Sequence, residues 1–110
     1  MMNPQLTQLS GLRFQIDYPD FSFENRYLDE KTIVWKSING PSMTGKAAGE
    51  EVTEQATVIN LAVNQFLVSW VEESGLGVTQ HLNFSSGQIH SLIRDGKDII
   101  AETGKLTTLN

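Results

Sequence analysis

Apolar and polar side chains alternate with a period of two residues through most of this chain. In the first run, LRFQIDY at 12–18, four large apolar residues fall on one side and three polar residues on the other. This period is typical of a β-strand with one face buried. The alternation predicts an all-β protein of seven to eight strands, with the further runs at 21–28, 32–38, 51–60, 65–73, 77–84, 87–95 and 97–106.

The connections between these runs are short and contain turn residues. Pro19-Asp20 and Asp95-Gly96 each separate two runs, and Asp-Gly in that position is a strong hairpin signal. Only NGPSMTGKAAGE, at 39–50, is a longer loop, and only MNPQLTQLSG, at 2–11, is a candidate for a helical turn or two. Because a Greek-key sandwich needs long crossovers, tight connectors favour an up-and-down antiparallel meander that closes as a small β-barrel.

Length, charge and cysteine content exclude several classes of function. The 110 residues suit a single domain, and a net charge of −5 without a Lys/Arg cluster disfavours nucleic-acid binding. There is no cysteine, which removes disulfides and thiolate chemistry. No apolar run reaches the ~18 residues of a membrane helix, and the first residues do not form a signal peptide. We therefore expect a cytoplasmic protein with no membrane or nucleic-acid partner.

A carboxylate shares the apolar face of the run at 65–73. Glu72 follows Trp70 by two residues, so both fall on the side that also carries Phe66 and Val68. The side with the larger apolar residues faces the inside of a small barrel. Two other runs have such a side: Leu12, Phe14, Ile16 and Tyr18 in one, and Val78, Gln80, Leu82 and Phe84 in the other.

An inward Glu72 would have a raised pKa unless a cation or hydrogen-bond donors compensate for its desolvation. That would suit a general acid or an anchor for a ligand hydroxyl. The alternative is that the strand ends at Trp70 and that Glu72 points into water. Tyr18 also has a structural alternative, with its ring buried and its hydroxyl in water.

Other kinds of site find little support in the sequence. His81 and His90 are the only histidines, and neither belongs to an H-x-H or H-E-x-x-H motif. We therefore predict no metal site. There is no phosphate-binding glycine fingerprint and no nucleophile elbow, and we predict no cofactor.

Several stretches together resemble a known family. They are the first strand ending in Tyr18, then Glu24, then KTIVWKSINGPSMTGK, FLVSWVEESGLGVTQHLNF and QIHSLI. The most specific element is S-W-x-E, followed by a glycine-containing turn and a V-T-x-x-x-x-F strand. Over about residues 9 to 95 the chain resembles the calycin-like barrels of the phenolic acid decarboxylases and of the related MoaF-like proteins. The resemblance implies a lipocalin-like barrel with an internal pocket, paired as a homodimer.

The resemblance also implies site residues. The decarboxylase pocket uses two tyrosines of the first strand, an arginine after the glycine-rich loop and the glutamate of S-W-x-E. Tyr18 and Glu72 match, whereas Ile16 stands in place of the second tyrosine and Lys46 in place of the arginine. Ile16 cannot donate a hydrogen bond, and Lys46 lacks the planar fork that binds a carboxylate through two bonds. These differences favour the MoaF-like group.

Three hypotheses for function follow. The first is a barrel that binds a small aromatic or phenolic ligand through the polar groups of Glu72, Tyr18 and Lys46. The second is a non-oxidative decarboxylase or related lyase acting on phenolic or enol-type acids, in which these three residues are catalytic. In either case the predicted ligand-binding walls are Trp70, Phe14, Ile16, Trp35 and Leu82. The third is an interaction module that dimerises through outer apolar residues such as Leu67, Val71 and Ile99.

Overall fold

The computed structural model describes residues 5–42 and 45–110 of the chain. These residues form nine β-strands and no helix, which confirms the all-β prediction. The predicted helical turn is absent from residues 5–11, while residues 2–4 lie outside the described part. The strands are β1 (Arg13–Asp17), β2 (Ser22–Tyr27), β3 (Thr32–Ser37), β4 (Val52–Gln55), β5 (Thr57–Ala62), β6 (Gln65–Val71), β7 (Gly77–Asn83), β8 (Gln88–Asp95) and β9 (Asp98–Thr108).

The strands form one antiparallel sheet in the order β4-β3-β2-β1-β9-β8-β7-β6-β5. Neighbours in the sheet are consecutive in the chain except where β1 pairs with β9, with Phe14 opposite Thr108 and Asp17 opposite Lys105. Pairing of the first and last strands joins two meanders into a nearly closed barrel. The up-and-down barrel predicted from the short connections is therefore confirmed.

The ninth strand arises because the run predicted at 51–60 changes partner at Ala56. The strands on either side of this buried alanine are β4 and β5. β4 pairs with β3, whereas β5 pairs with β6 at the other edge of the sheet. A single residue leaves no room for a turn, so β4 and β5 act as one bent strand that crosses the seam between the two edges.

One end of the barrel, which we call the floor, is packed with rings and closed by the N-terminal segment. Phe84 contacts both Phe14 and Phe66 edge to face, with ring centroids 5.3 and 6.2 Å apart. Leu9 is fully buried. Asn64 accepts a hydrogen bond from the amide of Leu6 at 2.7 Å, which ties the N-terminal segment to the β5–β6 turn.

The opposite end, which we call the mouth, is formed by the β1–β2, β6–β7 and β8–β9 turns and by residues 38–42 and 45–51. Because antiparallel strands alternate in direction, these connections lie at one end, and the floor connections at the other. Among the described residues no helix has the length and hydrophobicity needed to cross a membrane.

Candidate functional site

An interior cavity lies between the floor and the mouth. Its volume is about 60 Å³, enough for a few water molecules. Most of its lining is apolar and a few groups are polar, as is general for small-molecule sites. The apolar residues are Ile16, Phe23, Trp35, Trp70, Leu76, Val78 and Ile93, and the polar ones are Tyr18, Asn25, Ser42, Glu72 and Gln80.

A wider vestibule of about 370 Å³ lies at the mouth. Trp35 and Glu72 line both the vestibule and the cavity, so they mark the passage between the two. The other vestibule residues are Lys46, Val52, Thr53, Glu54, Glu73 and Ser74. The vestibule is thus the acidic approach to an apolar interior.

Two tryptophan–glutamate pairs hold carboxylates at this passage. The indole N–H of Trp35 donates to Oε2 of Glu54 at 3.1 Å, and that of Trp70 donates to Oε2 of Glu72 at 3.4 Å. Glu54 lies on β4 diagonally across from Trp35 of β3, while Glu72 follows β6 by one residue on the face of Trp70. Each carboxylate is therefore held against an indole edge by its neighbouring tryptophan.

Burial raises the pKa of both carboxyl groups. At Glu72 the hydrogen bond from Trp70 opposes this effect, and the negative charge of Glu54 adds to it. At Glu54 the bond from Trp35 opposes desolvation, and the charge of Glu73 raises the pKa further. Lys46 lowers the pKa of both groups but is the smallest of the named causes, and its ammonium nitrogen lies 3.7 Å from a carboxylate oxygen of Glu50. The site therefore holds two carboxylates that form no ion pair with a cation among the described residues.

We expect Glu72→Gln to stabilise the unliganded protein at neutral pH, by on the order of 0.5 kcal/mol because the group is partly exposed. A carboxyl whose pKa is raised in the folded state destabilises that state fully above the raised pKa. The gain should shrink as the pH falls through that pKa, and disappear below the ordinary value near 4.5. Thermal unfolding between pH 4 and 8 measures it.

Glu51→Gln is the matched control, since it removes the same charge from the outer wall, where Glu51 forms an exposed ion pair with Arg26 at 3.3 Å. It should change stability little. If Glu72→Gln were instead less stable at neutral pH, the carboxylate would be a net stabilising group and the account of its desolvation would be wrong.

A second polar group lies deeper, on the cavity wall. The hydroxyls of Tyr18 and Ser91 share a hydrogen bond of 2.5 Å. Burial raises the pKa of Tyr18, while its hydrogen bonds with Ser91 and Gln80 lower it. The side-chain oxygen of Gln80 is buried and has no hydrogen-bond partner among the described residues. An unpaired buried acceptor destabilises the folded state by about 1–3 kcal/mol. A ligand that donates a hydrogen bond to this oxygen would therefore bind favourably.

The comparisons with known proteins identify the family. Residues 10–107 match the MoaF-like family, which is nearly the whole chain. The chain belongs to the MoaF-like family. No curated protein matches this MoaF-like sequence. A crystal structure of a Burkholderia vietnamiensis protein, provisionally assigned as a β-lactamase, is similar with a TM-score of 0.79 and 19% identity, over 99% of this chain and 100% of that one. At this identity the similarity concerns the fold, and it agrees with the calycin-like barrel.

The MoaF-like barrel brings five of the eight predicted site residues to the cavity: Ile16, Tyr18, Trp35, Trp70 and Glu72. Lys46 lines only the vestibule. Phe14 and Leu82 are fully buried but are not part of the cavity lining, and they pack in the core instead.

Sequence reasoning missed two carboxylates of this MoaF-like site, Glu54 and Glu73. Glu54 is buried on β4, on the same face as Val52 and Ala56. The signal was present, because the alternation of residues 51–60 places these three side chains on one side. Gln80 was placed inside the barrel by the same reasoning, but it was not singled out as a site residue.

Proposed function

We propose that this MoaF-like barrel binds a small organic molecule in its cavity and vestibule. The observation that carries the proposal is the unpartnered oxygen of Gln80 on the wall of an apolar, aromatic-lined cavity. A barrel that served only as a scaffold would gain stability from a filled and fully hydrogen-bonded interior. A cavity that retains an unmet acceptor and opens to an acidic vestibule is better suited to receive a ligand.

The size of the site favours a ligand that spans both spaces. The interior cavity is smaller than the ~150 Å³ that holds a benzene ring, whereas the vestibule is larger. A flat ring would therefore lie at the passage beside Trp35 and Trp70, with one polar end directed toward Gln80. Leu76, in the β6–β7 turn, lines the cavity and is partly buried, so a rotation of its side chain would widen the interior.

A ligand screen with one blocking variant tests this function. We expect members of a panel of small aromatic compounds to raise the melting temperature of the wild-type protein. Saturation at 100 times Kd adds about 2.7 kcal/mol of stability. Ile93→Phe places a larger ring on the cavity wall and should reduce the shift.

Leu92→Phe is the matched control for the blocking variant. It makes a similar substitution on the same strand, but Leu92 is 53% exposed on the outer wall, so ligand-induced shifts should remain as in wild type. A panel without any effect on the wild-type protein would overturn the proposal, and so would an Ile93→Phe variant that binds as well as the wild type.

The lyase hypothesis has less support from the site. Among the described residues that line the cavity none is basic, and Lys46, at the mouth, forms an ion pair with Glu50. A bound carboxylate would therefore lack a cation inside the barrel. Decarboxylation stays a prediction, and incubation with p-hydroxycinnamate followed by detection of the vinyl product would test it.

A further inference from the structure

We propose that the ligand of this site is a protonated aromatic amine, not an aromatic acid. The inference rests on the proposed binding function and specifies the ligand class that the cavity and vestibule select. It depends on three independent features: the charge of the vestibule, the use of the hydrogen-bond donors around it, and the unmet acceptor inside the cavity.

The charge of the vestibule favours a cation. Its described lining carries three carboxylates, Glu54, Glu72 and Glu73, and one ammonium group, that of Lys46. When all four groups are ionised, the vestibule carries three negative charges and one positive charge. The positive charge is partly neutralised, because the ammonium nitrogen of Lys46 lies 3.7 Å from a carboxylate oxygen of Glu50. A cleft lined mainly by one sign of charge concentrates ligands of the opposite sign and repels those of the same sign.

The indole N–H donors at the passage are already engaged. The indole N–H groups of Trp35 and Trp70 donate to Glu54 and Glu72, and the hydroxyls of Tyr18 and Ser91 bond to each other. The faces of aromatic rings at the passage attract cations within about 6 Å of the ring centre. The aromatic walls therefore offer negative ring faces to a ligand in place of N–H groups.

The interior has a free acceptor. Gln80 is 4% exposed, and its side-chain oxygen has no partner within the described part of the chain. The side chain of Gln80 hydrogen-bonds to that of Tyr18, and because the oxygen of Gln80 has no partner, the amide nitrogen is the atom that donates. With its nitrogen directed to Tyr18, the amide presents its oxygen to a ligand that carries N–H or O–H groups.

An ammonium group fits this site better than a divalent cation. No group of three or more His, Asp or Glu side chains in residues 5–42 and 45–110 is arranged to hold a metal ion. Hard divalent cations need several oxygen ligands, whereas an ammonium needs a few acceptors and gains from aromatic faces. An aromatic amine also supplies the ring that the tryptophan-lined passage can stack against.

Matched probe pairs test the inference. Tyramine and p-hydroxyphenylpropanoate share a phenol ring and differ in the charge of the side chain, and p-ethylphenol is the neutral analogue. Tryptamine and indolepropionate form a second pair with a larger ring. By calorimetry at pH 7 and low salt we expect each amine to bind at least roughly tenfold more tightly than its acid, equivalent to about 1.4 kcal/mol.

Variants of the two held carboxylates connect this preference to the site. Glu72→Gln and Glu54→Gln should each weaken amine binding several-fold, and they should weaken p-ethylphenol binding much less. Glu51→Gln, on the outer wall, should alter neither. Amine binding to the wild-type protein should strengthen as the pH rises, because Glu54 and Glu72 ionise. The other titratable groups that line the cavity and vestibule are Glu73, Lys46 and Tyr18.

The outcomes separate the two proposals. Equal or tighter binding of the acids would overturn the amine inference and leave the binding function in place. An amine preference that persists in both glutamine variants would also overturn the inference. If neither the charged probes nor the neutral phenol bound to the wild-type protein, the binding function would fall together with the inference.

Discussion

Truncation of Phe66 to alanine is expected to lower the free energy of unfolding by about 3–5 kcal/mol. Phe66 is fully buried on β6 and its ring lies edge to face with Phe84 in the floor. A domain of this size has a total stability of about 5–15 kcal/mol, so the loss would remove a large part of it. Urea unfolding monitored by tryptophan fluorescence measures the change.

Val71→Ala is the control for this truncation, because Val71 lies on the same strand but is 70% exposed. Its free energy of unfolding should stay within about 0.5 kcal/mol of wild type. Since Phe66 lies in the floor and is not part of the cavity lining, the folded Phe66→Ala protein should keep its ligand affinity. A loss below about 1 kcal/mol would mean that the floor is not packed as described.

Replacement of Gly104 by alanine is expected to destabilise the barrel by about 1–3 kcal/mol, the range for overpacking. A Cβ atom at this position of β9 would lie 2.6 Å from the carbonyl oxygen of Asp17 and 2.9 Å from Cδ1 of Tyr18. The carbonyl cannot move away without disturbing the β1–β9 pairing that closes the barrel. The same shift would displace Tyr18 from Ser91, so ligand affinity should fall together with stability.

Gly77→Ala is the matched control for Gly104→Ala. A Cβ atom there would meet Cβ of Arg94 at 3.6 Å, an ordinary van der Waals contact on the β7–β8 pair. Chemical denaturation and titration with tyramine should show little change in this variant. Equal effects of the two glycine substitutions would contradict the close approach of β9 to β1 as the cause.

The strands and their inward faces could be predicted because burial on one side of a sheet requires alternation. Alternation places Glu72 on the face of Trp70 but leaves open whether the strand ends first and the side chain points into water, and the backbone decides between the two. The amide of Glu72 donates to the carbonyl of Leu76 at 2.8 Å, so the chain stays paired for one more residue before it turns. The side chain consequently remains on the face of Trp70.

The depth of a side chain along the barrel axis could not be predicted from alternation. Phe14 and Ile16 share a face, yet only Ile16 reaches the cavity, because Phe14 lies one step closer to the floor. Depth depends on how neighbouring strands are staggered, and the stagger arises from pairing between distant segments. The pattern does not show the change of partner at Ala56 for the same reason, since the polar side continues through Gln55 and Thr57 on either side of it.

The bent strand at the seam has a mechanical consequence for access to the site. β4 has only four residues and pairs with β3 along one edge alone, so its displacement would break few backbone hydrogen bonds. Glu54 is carried on this short strand and would move with it. The wall beside the passage is therefore held by fewer backbone hydrogen bonds than a strand paired on both sides, and we expect a molecule wider than the passage to enter from that flank.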